Sequence, residues 1–201
     1  MLDRAMRPLI DPPLNAAGRR LAALGVPANA VTLAGFAVGL AAVPAIGLGH
    51  YGWGLAAILA SRLFDGLDGA VARVAGVTDV GGYLDIVCDF ILYSAWVFGF
   101  ALAMPDHAVA AAFLMLSFVG TGSSFLAYAV FAAKRGVDTE IHGSKSLYYL
   151  GGLTEGTETI LAFVAFCVLP QFFAPLALLF AATCWITTVS RMLAAAKGFR
   201  S

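Results

Sequence analysis

Residues 53–75 read WGLAAILASRLFDGLDGAVARVA, and residues 82–104 read GYLDIVCDFILYSAWVFGFALAM. Each run is long enough to cross a bilayer as a helix, which takes about 20 mostly apolar residues. Four aspartates interrupt them: Asp65 and Asp68 in the first, Asp85 and Asp89 in the second. One aspartate near mid-membrane costs about 2.5–3.5 kcal/mol on the insertion scale, so four in two neighbouring spans need a purpose.

The rest of the chain supports the membrane reading. Further apolar runs fall at 30–49, 108–133, 146–169 and 172–196, with breaks rich in Gly, Pro and Asp between them. Of 201 residues, 61% are hydrophobic and 12% charged, whereas soluble domains run near 45–50% and about 25%. That charge cannot coat a water-soluble globule of this size. Lys+Arg and Asp+Glu balance at 12 each, which argues against a basic nucleic-acid binder, and the apolar content excludes disorder. The expected fold is an all-α polytopic membrane protein with six transmembrane helices. It forms one domain over 1–201, with a cytoplasmic juxtamembrane segment at 1–25 and a six-helix bundle at 26–201.

The basic residues set the orientation. Arg4, Arg7, Arg19 and Arg20 precede the first span; Arg62 and Arg73 lie in the second half of span two. Lys134, Arg135 and Lys145 lie between spans four and five, and Arg191, Lys197 and Arg200 close the chain. The alternate loops hold no Lys or Arg, so the positive-inside rule places both termini in the cytoplasm and the protein in the cytoplasmic membrane. The first 25 residues do not read as a cleavable signal peptide. They fit an amphipathic helix on the inner membrane surface, or a loosely ordered tail, since Pro8, Pro12 and Pro13 interrupt them. Cys88, Cys167 and Cys184 have no metal-type spacing and read as packing residues. Gly35 and Gly39 permit close helix approach on span one.

Asp65 and Asp68 are three residues apart and Asp85 and Asp89 four apart, so each pair shares a helix face. Asp65 lies about 15 Å above the cytoplasmic end of its span and Asp89 about 12 Å above its own, so the pairs can converge. Hard carboxylate donors suit Mg²⁺, Mn²⁺ or Ca²⁺, and two such ions can clamp phosphate oxygens during a displacement. Gly66 and Gly69 leave room for a phosphate beside the carboxylates, and Arg73 offers it a planar fork. Two other readings stand beside this one. The acids could salt-bridge Arg62 and Arg73 to hold helices, although two arginines do not balance four aspartates. They could also line a cation pathway, although they are bunched in one leaflet.

The pattern Asp65-x2-Asp68-Gly69-x2-Ala72-Arg73, seven residues, then Gly81-x3-Asp85-x3-Asp89 resembles the signature of the CDP-alcohol phosphotransferases, integral membrane enzymes of phospholipid synthesis. The usual gap between Arg and Gly is one residue longer, which reads as a loop deletion. The resemblance implies transfer of a phosphatidyl group from CDP-diacylglycerol to a small alcohol, releasing CMP, with two divalent ions, Mg²⁺ or Mn²⁺. It implies that Asp65, Asp68 and Asp85 hold the metals, and that Asp89 shares the second metal and acts as general base. Gly69 and Arg73 would contact nucleotide phosphates. Asn29 and Thr32 look like the family's Asn-x2-Thr element, and a helix N-cap explains Asn29 equally.

On the acceptor side, Lys145 and Arg191 could grip a phosphate. Glu155 and Glu158 share a face of span five, about 15 Å along it, and could line a polyol or ammonium pocket with Tyr148 and Tyr149. Alternatively they hydrogen-bond Thr and Ser on neighbouring spans. Small polar residues at 120–124 suit close packing, within the chain or across a homodimer. Glycerol 3-phosphate is the first-choice acceptor; inositol phosphate, an amino alcohol, and a divalent-cation transporter are the alternatives.

Overall fold

The computed structural model describes residues 3–135 and 154–199. The described residues are helical, without strands: α1 (Asp3–Ala23), α2 (Ala28–Gly47), α3 (Tyr51–Ala75), α4 (Asp79–Ala103), α5 (Ala108–Lys134), α6 (Gly156–Val168) and α7 (Phe173–Gly198). Single 3-10 turns at Pro105–His107 and Pro170–Phe172 lead into α5 and α7. Among the described residues, four helices are long and apolar enough to cross a membrane: α2, α4, and α5 and α7 with their 3-10 turns. α3 has the length, at 25 residues, but carries Arg62, Asp65, Asp68 and Arg73. α6 is apolar and shorter.

The surface is apolar as well as the core: Trp53, Val109, Val119 and Leu179 face outward, while a few polar side chains, Ser61, Asp68, Ser117, Thr187 and Thr188, are buried. An apolar exterior with polar groups turned inward is what lipid selects. The core is a run of rings: Trp96 meets Phe163 edge-on at 5.1 Å, and Phe100 stacks on Phe173 at 4.8 Å.

α2 is the packing spine. Its Gly35 and Gly39 let α3 and α4 approach, as the spacing suggested. Ser61 Oγ donates to the Gly35 carbonyl at 2.9 Å, and Trp96 Nε1 donates to that of Gly39 at 2.8 Å. A Cβ at Gly35 would lie 2.6 Å from Phe64 Cβ, whereas one at Gly52 would meet nothing within 4 Å. Gly35→Ala is therefore expected to cost about 1–3 kcal/mol, while Gly52→Ala, free of any clash, gains about 0.5–1 kcal/mol of helix propensity. Melting temperatures in detergent check the opposite signs.

α3 and α4 each pack on α2 and make little backbone contact with one another. The turn joining them uses Gly76 at φ 108°, a conformation that favours glycine. α4 starts earlier than 82, since Thr78 caps it by accepting from the Gly81 amide at 3.1 Å. The small residues of α5 pack within the chain, Gly120 on Trp185 and Thr188 of α7 and Gly122 on Phe90 of α4. The three cysteines are buried and free, as expected.

Candidate active site

The antiparallel courses of α3 and α4 bring all four aspartates to one cleft. Asp65, Asp68, Asp85 and Asp89 line it with Thr32 and Ser61. Asp65 is within hydrogen-bonding reach of both Asp85 and Asp89. Asp68 is buried, beside Thr32. Among the described residues, no three His, Cys, Asp or Glu side chains already close around one point as ligands. The donor set is nonetheless all hard oxygen, which fits a divalent cation of the Mg²⁺ or Mn²⁺ class.

Arg62 is the residue the sequence reading undervalued. It lies about 20 Å from the C-terminal end of α3, one turn further from that end than Asp65. Its NH1 sits 2.7 Å from Asp89 Oδ1 and 3.6 Å from Asp65 Oδ1, and donates to the Tyr93 hydroxyl at 3.3 Å. The guanidinium carbon stands 5.4 Å from the Tyr93 ring centroid and 5.5 Å from that of Trp96. Asp89, Tyr93 and Trp96 follow one another on one face of α4. The available signal was an arginine three residues before Asp65 and too deep to snorkel. The helix-holding alternative is thus half right: Arg62 pairs with the cluster, and Arg73 does not.

Arg73 lies at the exposed C-terminal end of α3, where its Nε and NH2 both donate to Asn15 Oδ1 of α1, at 3.3 and 2.9 Å. A Cβ at Gly69 would meet only Arg73 NH1, at 3.4 Å, so that face is open. Gly66 is different: a Cβ there would lie 2.6 Å from Leu14 Cδ1. Its missing side chain admits α1 rather than a phosphate, which corrects the expectation for that glycine. Gly18 likewise meets Ala70, with a would-be Cβ 2.6 Å away, so α1 docks across the C-terminal half of α3. Asn29 does not cap α2; Pro27 holds the N-cap position. Asn29 instead turns its Oδ1 toward Gly81, 3.1 Å from where a Cβ would stand.

The described residues expected to bind the acceptor lie elsewhere. Glu155 is the N-cap of α6, and with Glu158 it forms a capping box, Glu158 Oε2 accepting from the Glu155 amide at 3.2 Å. It therefore does not sit ten residues inside a helix, because both carboxylates satisfy α6's own N-terminal amides. Thr154 Oγ1 donates to Thr187 Oγ1 at 3.1 Å, tying this end to α7. Arg191 of α7 donates to the Thr121 carbonyl at 3.1 Å and lies 5.7 Å from the Phe125 ring centroid. None of these lines the aspartate cleft. Lys145, Tyr148 and Tyr149 lie outside the described residues.

Comparison with known proteins gives the family. The family described as CDP-alcohol phosphatidyltransferase matches residues 26–196. The Escherichia coli K12 inner membrane protein YnjF is 51% identical over 193 residues, covering 96% of this chain and 94% of its own. The Pyrococcus horikoshii archaetidylinositol phosphate synthase is 35% identical over 98 residues, 48% of this chain and 52% of its own. Among solved structures, Mycobacterium tuberculosis phosphatidylinositol phosphate synthase PgsA1 with CDP-DAG bound superposes with TM-score 0.70 at 24% identity, covering 89% of this chain and 91% of that one. The same enzyme in complex with manganese and citrate also gives 0.70, at 23% identity, covering 89% and 87%. At such identity the two structures speak to fold alone. A match over most of the length, together with a complete set of cleft aspartates, makes this chain a multi-pass membrane enzyme that belongs to the CDP-alcohol phosphatidyltransferase family.

Proposed function

We propose that the protein transfers a phosphatidyl group from CDP-diacylglycerol to a small soluble phosphorylated alcohol at the cytoplasmic leaflet, releasing CMP. The observation that carries this is the single cleft into which two helices deliver four carboxylates, with Gly69 and Arg73 on the cytoplasmic side. CDP-DAG bound to PgsA1 supports the donor. The names of PgsA1 and of the archaeal relative favour inositol phosphate over glycerol 3-phosphate.

Asp65, Asp68 and Asp85 would hold two divalent ions, with Asp89 sharing the second. When bound, such ions supply charge neutralisation at the diphosphate. Asp89 takes the proton of the acceptor hydroxyl as its oxygen bonds to the diacylglycerol-bearing phosphorus. The bond from that phosphorus to CMP breaks, and CMP leaves with the bridging oxygen. Asp89 is a weak base by its reference pKa near 3.9, so geometry at the hydroxyl must do most of the work. Gly69 lets the diphosphate approach the backbone, Arg73 exchanges Asn15 for a phosphate oxygen, and Asn29 and Thr32 flank the nucleotide. Arg191, Lys145 and the Glu155–Glu158 end of α6 form the acceptor side.

In the membrane, α2 to α7 provide six crossings, with both termini cytoplasmic and α1 lying along the inner surface. The docking of Leu14 and Gly18 on α3 supports that placement of α1.

The test is CMP release by purified protein in detergent with CDP-diacylglycerol and Mg²⁺ or Mn²⁺. The acceptors are inositol phosphate, glycerol 3-phosphate and an amino alcohol. Release that depends on a phosphorylated polyol is the expected result. Release with the amino alcohol alone, or none with any acceptor and metal, would overturn the reading.

A further inference from the structure

Arg62 has no part in the signature Asp65–Asp89, yet it occupies the floor of the cleft. Its side chain is only 9% exposed. Asp89 Oδ1 at 2.7 Å and the rings of Tyr93 and Trp96 immobilise it. Its Nε is buried and, among the described residues, donates to nothing. Trp96 is itself fixed by its bond to the Gly39 carbonyl. A permanent cation is thereby built into a cavity whose other charges are carboxylates.

We infer that Arg62 is a positioning residue that acts as a fixed counter-cation: it holds Asp89, weakens metal binding at the carboxylates, and leaves the metal-loaded cleft net positive for a diphosphate. The inference rests on the metal-dependent reading above and adds a residue to it. Two divalent ions cancel four carboxylates and leave no net charge. Arg62 supplies the remaining positive charge, at a depth where water screens it poorly. The same charge repels each incoming cation. Arg62 also engages one oxygen of Asp89, leaving the other to face the metal and the acceptor hydroxyl.

A fixed charge predicts opposite effects on two ligands, which simple structural damage does not. Mn²⁺ binding to purified full-length protein is read by electron paramagnetic resonance of the free ion. CDP-diacylglycerol binding is read at saturating Mn²⁺. Arg62→Gln is expected to bind Mn²⁺ about tenfold more tightly and CDP-diacylglycerol about tenfold more weakly. Arg62→Lys, which keeps the charge, stays near wild type for Mn²⁺. Equal Mn²⁺ affinity in Arg62→Gln and wild type, or weakening of both ligands together, overturns the inference. If Arg62→Gln does not survive purification, the R62Q/D89N double variant is compared with D89N, and tighter Mn²⁺ binding in the double is again required. A wild-type protein that takes up no Mn²⁺ lost in Asp68→Asn overturns the metal reading itself, which separates the two failures.

Discussion

Asp89→Asn is expected to lower acceptor-dependent CMP release by about 10²–10⁴-fold, the usual contribution of a positioned general base. The substitution is nearly isosteric. An amide oxygen can still accept from Arg62 NH1, which now lies 2.7 Å from Asp89 Oδ1, so the fold should persist. What is lost is the charge and the ability to take a proton from the acceptor hydroxyl. Initial rates of CMP release, with Mn²⁺ binding measured on the same preparation, separate chemistry from metal loss. A protein that still binds Mn²⁺ and releases CMP within about tenfold of wild type would remove Asp89 from the proton transfer.

The largest stability effect is expected at Trp96. It is fully buried, donates to the Gly39 carbonyl at 2.8 Å, and meets Phe163 and Tyr93 edge-on at 5.1 and 5.6 Å. In water-soluble cores, Trp→Ala costs about 3–5 kcal/mol. Lipid is as apolar as the core, so the transfer contribution shrinks and lost packing dominates. Trp96→Ala is still expected to cost about 2 kcal/mol or more, because it opens a cavity among rings and leaves a helix carbonyl without its donor. It also strips one wall from Arg62, so activity should fall before the fold is lost. Trp96→Phe restores much of the volume and none of the hydrogen bond. Thermal melts in detergent should rank wild type above Trp96→Phe and Trp96→Ala last; equal melting of all three would show that the ring cluster does not hold the bundle.

The fold class was legible because membrane insertion is a one-dimensional constraint. A run of about 20 apolar residues must span, and a carboxylate in it must have a use. The cleft aspartates were legible for a similar reason: three- and four-residue spacings put each pair on one helix face whatever the tertiary arrangement. GxxxG at Gly35 and Gly39 was legible as close approach, though not which helices approach.

Tertiary structure decided everything that depends on which face meets which. Gly66 and Gly69 are equivalent in sequence, yet α1 fills the space over one and leaves the other open. Arg62 and Arg73 were interchangeable as counter-charges until packing put one on Asp89 and the other on Asn15. Glu155 and Glu158 looked like acids in need of a ligand, and the start of α6 supplies them with amides. Periodicity along one helix reports what shares a side; partners three dimensions away are set by how helices cross. That is why the carboxylates of the site could be read from the chain, and the cation beneath them could not.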